Sequence, residues 1–312
     1  GVERFKKHWR YLIARYGAYP VVWCAAGETM MAYYLSETQD QDRVEQKKGW
    51  SEVIRYIRKT DPYRHPLTTH PSGYSSAHDE VDDFSLLDFD MVQGGQNGYM
   101  DQHSFMKLVV DALKMNTGKP VVNGEANYEG IRGGSREEVQ RFLFWSTLLS
   151  GSSGFTYGAN GICQVNTQEK PFGLFPNGTS PGYTPWDLAC RLPGSNNLAL
   201  GKKLLEQYEW WKFKPHQEWV EPAAGENSYV APYAAGIPGR VRFFFFPGPV
   251  CPWNPPIYVR NFETGVIYKG FLFNPVNGDL HELGTIKPDK DGRWKLPTTP
   301  VMQDWVLVLE AD

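Results

Sequence analysis

Two glutamates close two short strand-like runs, 97 residues apart. Glu28 ends Pro20-Val-Val-Trp-Cys-Ala-Ala-Gly-Glu28, and Glu125 ends Lys119-Pro-Val-Val-Asn-Gly-Glu125. Both runs are apolar and β-branched, as expected of buried parallel strands that deliver an acid to their carboxyl ends. Two carboxylates at such a rim are the minimum equipment for cleaving a glycosidic bond. One protonates the leaving oxygen while the other attacks the anomeric carbon. The plainer alternatives are a helix cap for Glu28 and a structural ion pair for Glu125. Glu129, four residues further on, competes with Glu125 for the attacking role.

Other polar and aromatic residues fall where they would surround this pair. His70 and Gln93 end strand-like runs of their own and suit sugar hydroxyls. Tyr157, in Phe155-Thr-Tyr-Gly-Ala-Asn160, suits either the nucleophile or the floor of a sugar subsite. Asn127 and Tyr128 follow Glu125 directly, and Trp23 shares the Glu28 run. All three join the candidate substrate contacts.

The elements that must carry these groups alternate strand with helix to about residue 212. Helices are expected near 2–16, 41–59, 103–115 and 197–211. Ser135-Arg-Glu-Glu138 has the form of a capping box opening a further helix. Alternation of this kind implies a parallel sheet. Five strands precede residue 160, where a closed (β/α)8 TIM barrel needs eight. The expected fold is α/β, with only about the last five strand–helix units of a barrel present. An open doubly wound sheet is the alternative. From about residue 216 helical periodicity ends and turn signals appear, at 247–248, 277–278 and 291–292, the last two of hairpin type. The expected domains are therefore a barrel part over 1–213 and an all-β sandwich over 214–312.

Composition narrows the partners. A formal net charge of −3 leaves no basic excess to neutralise phosphates, so nucleic acid is not expected. No apolar run approaches the roughly 20 residues of a membrane helix. Aromatics reach 14% of the chain, which suits stacking on sugars as well as core packing. The chemistry requires no cofactor, and the cysteines show no zinc spacing. Cys24 reads as a core thiol, while Cys163 and Cys190 share one loop region and are disulfide candidates. The acidic stretch Asp79–Asp90 reads as a solvated loop. Asn177-Gly-Thr179 has the form of a glycosylation acceptor.

Several segments, taken in order, resemble the apiosidase-like glycoside hydrolases. These are Val22-Trp-Cys-Ala-Ala-Gly-Glu28, His70-Pro-Ser-Gly73, Ser75-Ser76, Phe89-Asp-Met-Val-Gln93, Lys119 to Glu129, Tyr157-Gly-Ala-Asn-Gly161, Trp186 and Pro193-Gly194. Members of that family are barrels followed by a β-domain described as collagen-binding. The resemblance implies that the Glu28 run is the fourth barrel strand and the Glu125 run the seventh. Glu28 would then be the acid/base and Glu125 the nucleophile of a retaining hydrolase. It also implies a chain entered midway, a polysaccharide or oligosaccharide substrate of plant or microbial origin, and a secreted or periplasmic setting. Glu28 stands where the family tends to Asp, Gly94-Gly95-Gln96 where it tends to Ser-Gly-His, and Cys163 where it tends to Trp. A non-catalytic carbohydrate- or matrix-binding protein on a barrel scaffold is the rival from another class, and an inverting hydrolase the second.

Overall fold

The computed structural model describes residues 1–32, 35–115, 117–176, 178–251 and 254–312, which leaves the sequon residue Asn177 outside the description. The chain forms two compact units. The first comprises Gly1–Gly95 and Leu108–Glu125, and the second Gln96–Lys107 and Ala126–Asp312. The division differs from the one the change of texture near residue 214 suggests, for a reason that lies in the second unit.

In the first unit, α1 (Val2–Tyr16) lays Trp9 and Ile13 against Val53, Ile54 and Ile57 of α2 (Gln39–Thr60). Between the two helices in sequence runs β1 (Trp23–Cys24), and after α2 comes β2 (Leu67–Thr68). These two strands pair in parallel, Trp23 with Leu67 and Cys24 with Thr68, as a strand–helix–strand unit requires. The ladder is longer than the named strands. Backbone bonds Trp23 N–H to Pro66 O, Ala25 N–H to Thr68 O, His70 N–H to Ala26 O and Thr29 N–H to His70 O carry it to the Glu28 turn.

The three-strand group that follows contains β3 (Ser75–Ser76), β4 (Asp90–Gln93) and β5 (Val121–Glu125), with α3 (Gln102–Lys114) connecting the last two. β4 and β5 are parallel, while β3 runs antiparallel to β4. The acidic stretch is not simply a solvated loop. Glu80 is fully buried and Asp90 nearly so. Asp90 accepts hydrogen bonds from Ser76 Oγ, His78 N–H and His78 Nδ1, the last at 2.6 Å.

His78 Nε2 meets Asp79 at 3.2 Å, so both ring nitrogens face carboxylates. Asp79 first and Asp90 second push the imidazole up to about 9. A raised pKa means that the folded chain holds this proton more tightly than the unfolded one. The stabilisation is complete below about 6.5, the ordinary histidine value, and is lost as pH rises through about 9. Urea unfolding should therefore show stability falling between pH 7 and 9.5. In His78→Gln that slope should flatten, and an unchanged slope would refute the assignment.

The second unit contains α4 (Glu137–Leu149), β6 (Gly154–Phe155), α5 (Trp186–Ala189) and α6 (Pro193–Leu205). Nine strands follow: β7 (Lys214–Pro215), β8 (Val220–Glu221), β9 (Tyr233–Ile237), β10 (Val241–Phe246), β11 (Tyr258–Val259), β12 (Tyr268–Phe273), β13 (Leu280–Thr285), β14 (Trp294–Lys295) and β15 (Trp305–Ala311). They make a six-stranded sheet, ordered β13-β12-β15-β10-β9-β7, and a three-stranded sheet, ordered β14-β11-β8. Phe244, Phe246, Leu272 and Leu307 of the larger sheet share one core with Val220, Val259 and Leu296.

The Phe243–Phe246 run is buried on both faces, which explains its unbroken apolar character. Phe245 faces Phe142 and Trp145 of α4, with ring centroids 6.3 and 6.4 Å apart. This packing ties α4 to the β-rich region and carries the unit back across residue 214. It also accounts for α4, which is buried around almost its whole circumference.

Four local expectations fail. The helix after Ser135 starts at Glu137 with Arg136 at its cap, and the Ser135 hydroxyl is buried without a hydrogen bond. Asn277-Gly278 does close the β12–β13 hairpin, with Gly278 at φ +85°. Asp291-Gly292 closes none, because β13 and β14 lie in different sheets. Cys163 and Cys190 are exposed free thiols rather than a disulfide, and Cys24 is exposed rather than in the core.

Candidate active site

Four predicted residues come together in the first unit, each at the carboxyl end of a strand or its extension. Gln93, the last residue of β4, donates from Nε2 to Glu28 Oε1 at 3.0 Å. In the parallel ladder Gln93 is also the partner of Glu125. His70 Nε2 lies 3.4 Å from Glu125 Oε2. Its other nitrogen, Nδ1, is 3.0 Å from the Pro71 carbonyl, and an oxygen of that kind only accepts, so Nδ1 carries a proton. Gln93 and His70 thus connect the two acids, which are both half-buried.

The backbone at both acids is unusual. Glu28 sits at φ +54°, in the left-handed region that costs a side-chain-bearing residue about 1 kcal/mol or more. The residues around it hold the turn in place. Thr29 N–H and Thr29 Oγ1 both donate to His70 O, and Thr29 Oγ1 also bonds Thr69 Oγ1. Glu80 accepts from Met30 N–H, Ser72 N–H and Ser72 Oγ, which fastens the turn after β1 to the turn after β2. Glu80 was hidden in sequence, because nothing local distinguishes it from its solvated acidic neighbours.

At Glu125 the device is a bulge. Val92 pairs with Asn123 but Gln93 pairs with Glu125, so Gly124 is the extra residue. A bulge re-aims the side chain that follows it. A Cβ at 124 would lie 2.2 Å from Met91 Cγ and 2.3 Å from its sulfur, so any larger residue must push the Met91 side chain aside. Gly124→Ala should therefore displace Glu125 and lower activity by about 10²-fold, the usual cost of misplacing a catalytic group by about 1 Å. The check is kcat/KM beside a thermal melt. Activity within twofold of the parent would show that the bulge does not set the geometry.

Trp23 is not brought to this cluster. It starts β1, with its indole N–H bonded to Asp61 at 3.0 Å and its ring edge-on to Trp9. Both its polar tip and its face are used in the core, which removes the expected sugar contact.

The remaining predicted residues belong to the second unit. Asn127 is buried, and its carbonyl accepts from Gln140. Tyr128 donates its N–H to Gln96 Oε1 at 2.7 Å, and its ring covers Gly158, where a Cβ would lie 2.4 Å from Cδ1. Tyr157 donates its hydroxyl to Glu129 at 2.6 Å.

Glu129 also accepts the Gly194 N–H in the first turn of α6, where the helix terminus favours a carboxylate. Burial raises the Glu129 pKa, with Tyr157 and Gly194 opposing the rise. This acid is occupied in anchoring a helix. Among the described residues, no three His, Cys, Asp or Glu side chains are grouped to hold a metal ion, and no helix is long and apolar enough to cross a membrane.

Comparison with known proteins identifies the family and the fold. No curated protein matches the chain. A solved structure titled "Glycoside hydrolase" superposes with a TM-score of 0.77 at 20% identity, over 99% of this chain and 69% of the other. A glycoside hydrolase family 5 structure from Bacteroides vulgatus ATCC 8482 gives a TM-score of 0.77 at 19% identity, over 99% and 66%. The chain thus spans about two thirds of the length of these two structures and shares their fold. The model of the Apiosidase-like family, catalytic domain, matches residues 1–212. The chain belongs to the Apiosidase-like family, and its amino-terminal two thirds are catalytic-domain sequence of a glycosidase.

Proposed function

We propose that the chain is a retaining glycoside hydrolase acting on a plant or microbial polysaccharide or oligosaccharide, with Glu125 as nucleophile and Glu28 as general acid/base. The observation that carries the reading is the joint anchoring of the two acids, Glu28 by the Gln93 amide and Glu125 opposite Gln93 across the Gly124 bulge. A carboxylate that attacks and a carboxyl that protonates must both reach one glycosidic bond.

In the first step a Glu125 oxygen bonds to the anomeric carbon while the bond to the leaving oxygen breaks. Glu28 gives its proton to that oxygen. In the second step Glu28, now a carboxylate, takes a proton from water. The water oxygen bonds to the anomeric carbon and Glu125 departs ionised. Gln93 holds Glu28 Oε1, which directs Oε2 to the proton transfers. His70 stands beside the Glu125 oxygen as it gains and loses its ester bond.

The same reading makes 1–213 the last five strand–helix units of a (β/α)8 barrel and 214–312 an accessory β-sandwich. Two parallel strand pairs, each with an intervening helix, support it. A substrate of this class lies outside the cell, which favours a secreted or periplasmic protein.

A 2-deoxy-2-fluoro glycoside with a good leaving group tests the mechanism, because it traps the glycosyl ester. Peptide mass mapping should find the label on Glu125. A label on Glu129, or hydrolysis that yields product of inverted anomeric configuration, would overturn the assignment.

A further inference from the structure

The geometry points to a second carbohydrate-binding site in the second unit, formed by Tyr99, Gln102, Glu138 and Gln303 and suited to a neutral sugar residue. It shares no residue with the two acids above and does not depend on their roles. The site is a cavity of about 410 Å³, within the range of small-ligand pockets. Phe142 and Phe245, both buried, give it an apolar floor. Tyr99, half-exposed, stands at its wall.

The polar groups that line it sort into those already engaged and those left over. Arg141 and Asp304 face one another through two parallel hydrogen bonds of 2.8 and 2.7 Å, and the third Arg141 donor goes to Asn197. That pair is neutral. Glu138 uses Oε1 for the Tyr99 hydroxyl and leaves Oε2 without a hydrogen bond among the described residues. Gln303 uses Nε2 on Asn274 and leaves its Oε1. Gln102 is only 8% exposed, lines the cavity, and its carboxamide bonds to nothing among the described residues. Its amide atoms are not sealed from solvent, so the carboxamide offers a donor and an acceptor to an occupant of the cavity.

Charge then selects the occupant. With Arg141 and Asp304 cancelling, and Arg136 Nε 3.7 Å from Glu138 Oε1, the wall offers no net charge to hold an ionic ligand. What remains is a carboxylate oxygen that accepts, amides that donate and accept, and an aromatic face over an apolar floor. Hydroxyls on one edge and C–H groups on the other are what such a wall complements, and a neutral sugar ring carries both.

Native affinity electrophoresis tests the site, run through gels containing soluble xyloglucan or arabinoxylan. The full chain should carry Glu125→Gln to prevent digestion of the polymer. At least one polymer should retard the parent, and Tyr99→Ala and Gln102→Ala should each weaken that retardation at least fivefold. Tyr99→Phe and Gln102→Glu serve as folding controls, and Tyr99→Phe should keep most of the binding because it keeps the ring. If no polymer retards the parent, or if the alanine variants are retarded as the parent is, the site does not bind carbohydrate. Neither result bears on the catalytic assignment, which the trapped Glu125 ester reports separately.

Discussion

Glu125→Gln should lower kcat on an activated aryl glycoside by on the order of 10⁴- to 10⁶-fold, the scale on which enzymes lose turnover when a nucleophile is removed. The carboxamide is nearly isosteric with the carboxylate, so KM should move little and the thermal midpoint by no more than a few degrees. The loss would arise because no other carboxylate of the cluster can take over. Glu28 is hydrogen-bonded by Gln93 and, in the proposed mechanism, is committed to proton transfer. Glu129 is buried and committed to Tyr157 and the α6 terminus. Glu28→Gln should behave differently, losing about 10²- to 10⁴-fold and less for substrates whose leaving group needs no proton. Comparing the two variants across a leaving-group series separates the roles. Residual activity of Glu125→Gln above about one tenth of the parent would place the nucleophile elsewhere.

Asp304→Ala should give the largest loss of stability in the second unit, about 3–5 kcal/mol. It would leave Arg141 charged, 5% exposed and without its bidentate partner. Urea denaturation monitored by tryptophan fluorescence measures it. The penalty comes from the orphaned charge and not from the value of the pair, so Arg141→Met combined with Asp304→Leu should recover most of the loss. A change below about 1 kcal/mol in the single variant would mean that water reaches the guanidinium from the adjoining cavity and solvates it.

What was legible in the sequence was mainly what local periodicity controls. The helices expected at 41–59 and 103–115 form at Gln39–Thr60 and Gln102–Lys114, because their apolar faces repeat at the helical spacing whatever they pack against. The clustering of Glu28, His70, Gln93 and Glu125 was legible for a related reason. Each ends an apolar run, and parallel strands bring such ends to one edge. What stayed hidden depends on partners distant in sequence. The Gly124 bulge exists only in register with Met91 and Gln93. Glu80 acquires its meaning from the backbone amides of Met30 and Ser72. Trp23 looked available because its run ends at Glu28, yet it lies at the opposite end of that run, where Asp61 claims it. Texture placed a boundary near residue 214, whereas stacking of Phe245 on Trp145 binds the flanking segments into one unit.

The left-handed turn at Glu28 sets two selective pressures against each other. Glycine adopts φ +54° without cost, and asparagine and aspartate tolerate it better than glutamate does. Judged by folding alone, almost any of these would improve the position. Under the proposed acid/base role, residue 28 is a place where gains in robustness and retention of chemistry exclude one another. Variants of this chain improved for heat tolerance without regard to turnover would drift away from glutamate at this residue first.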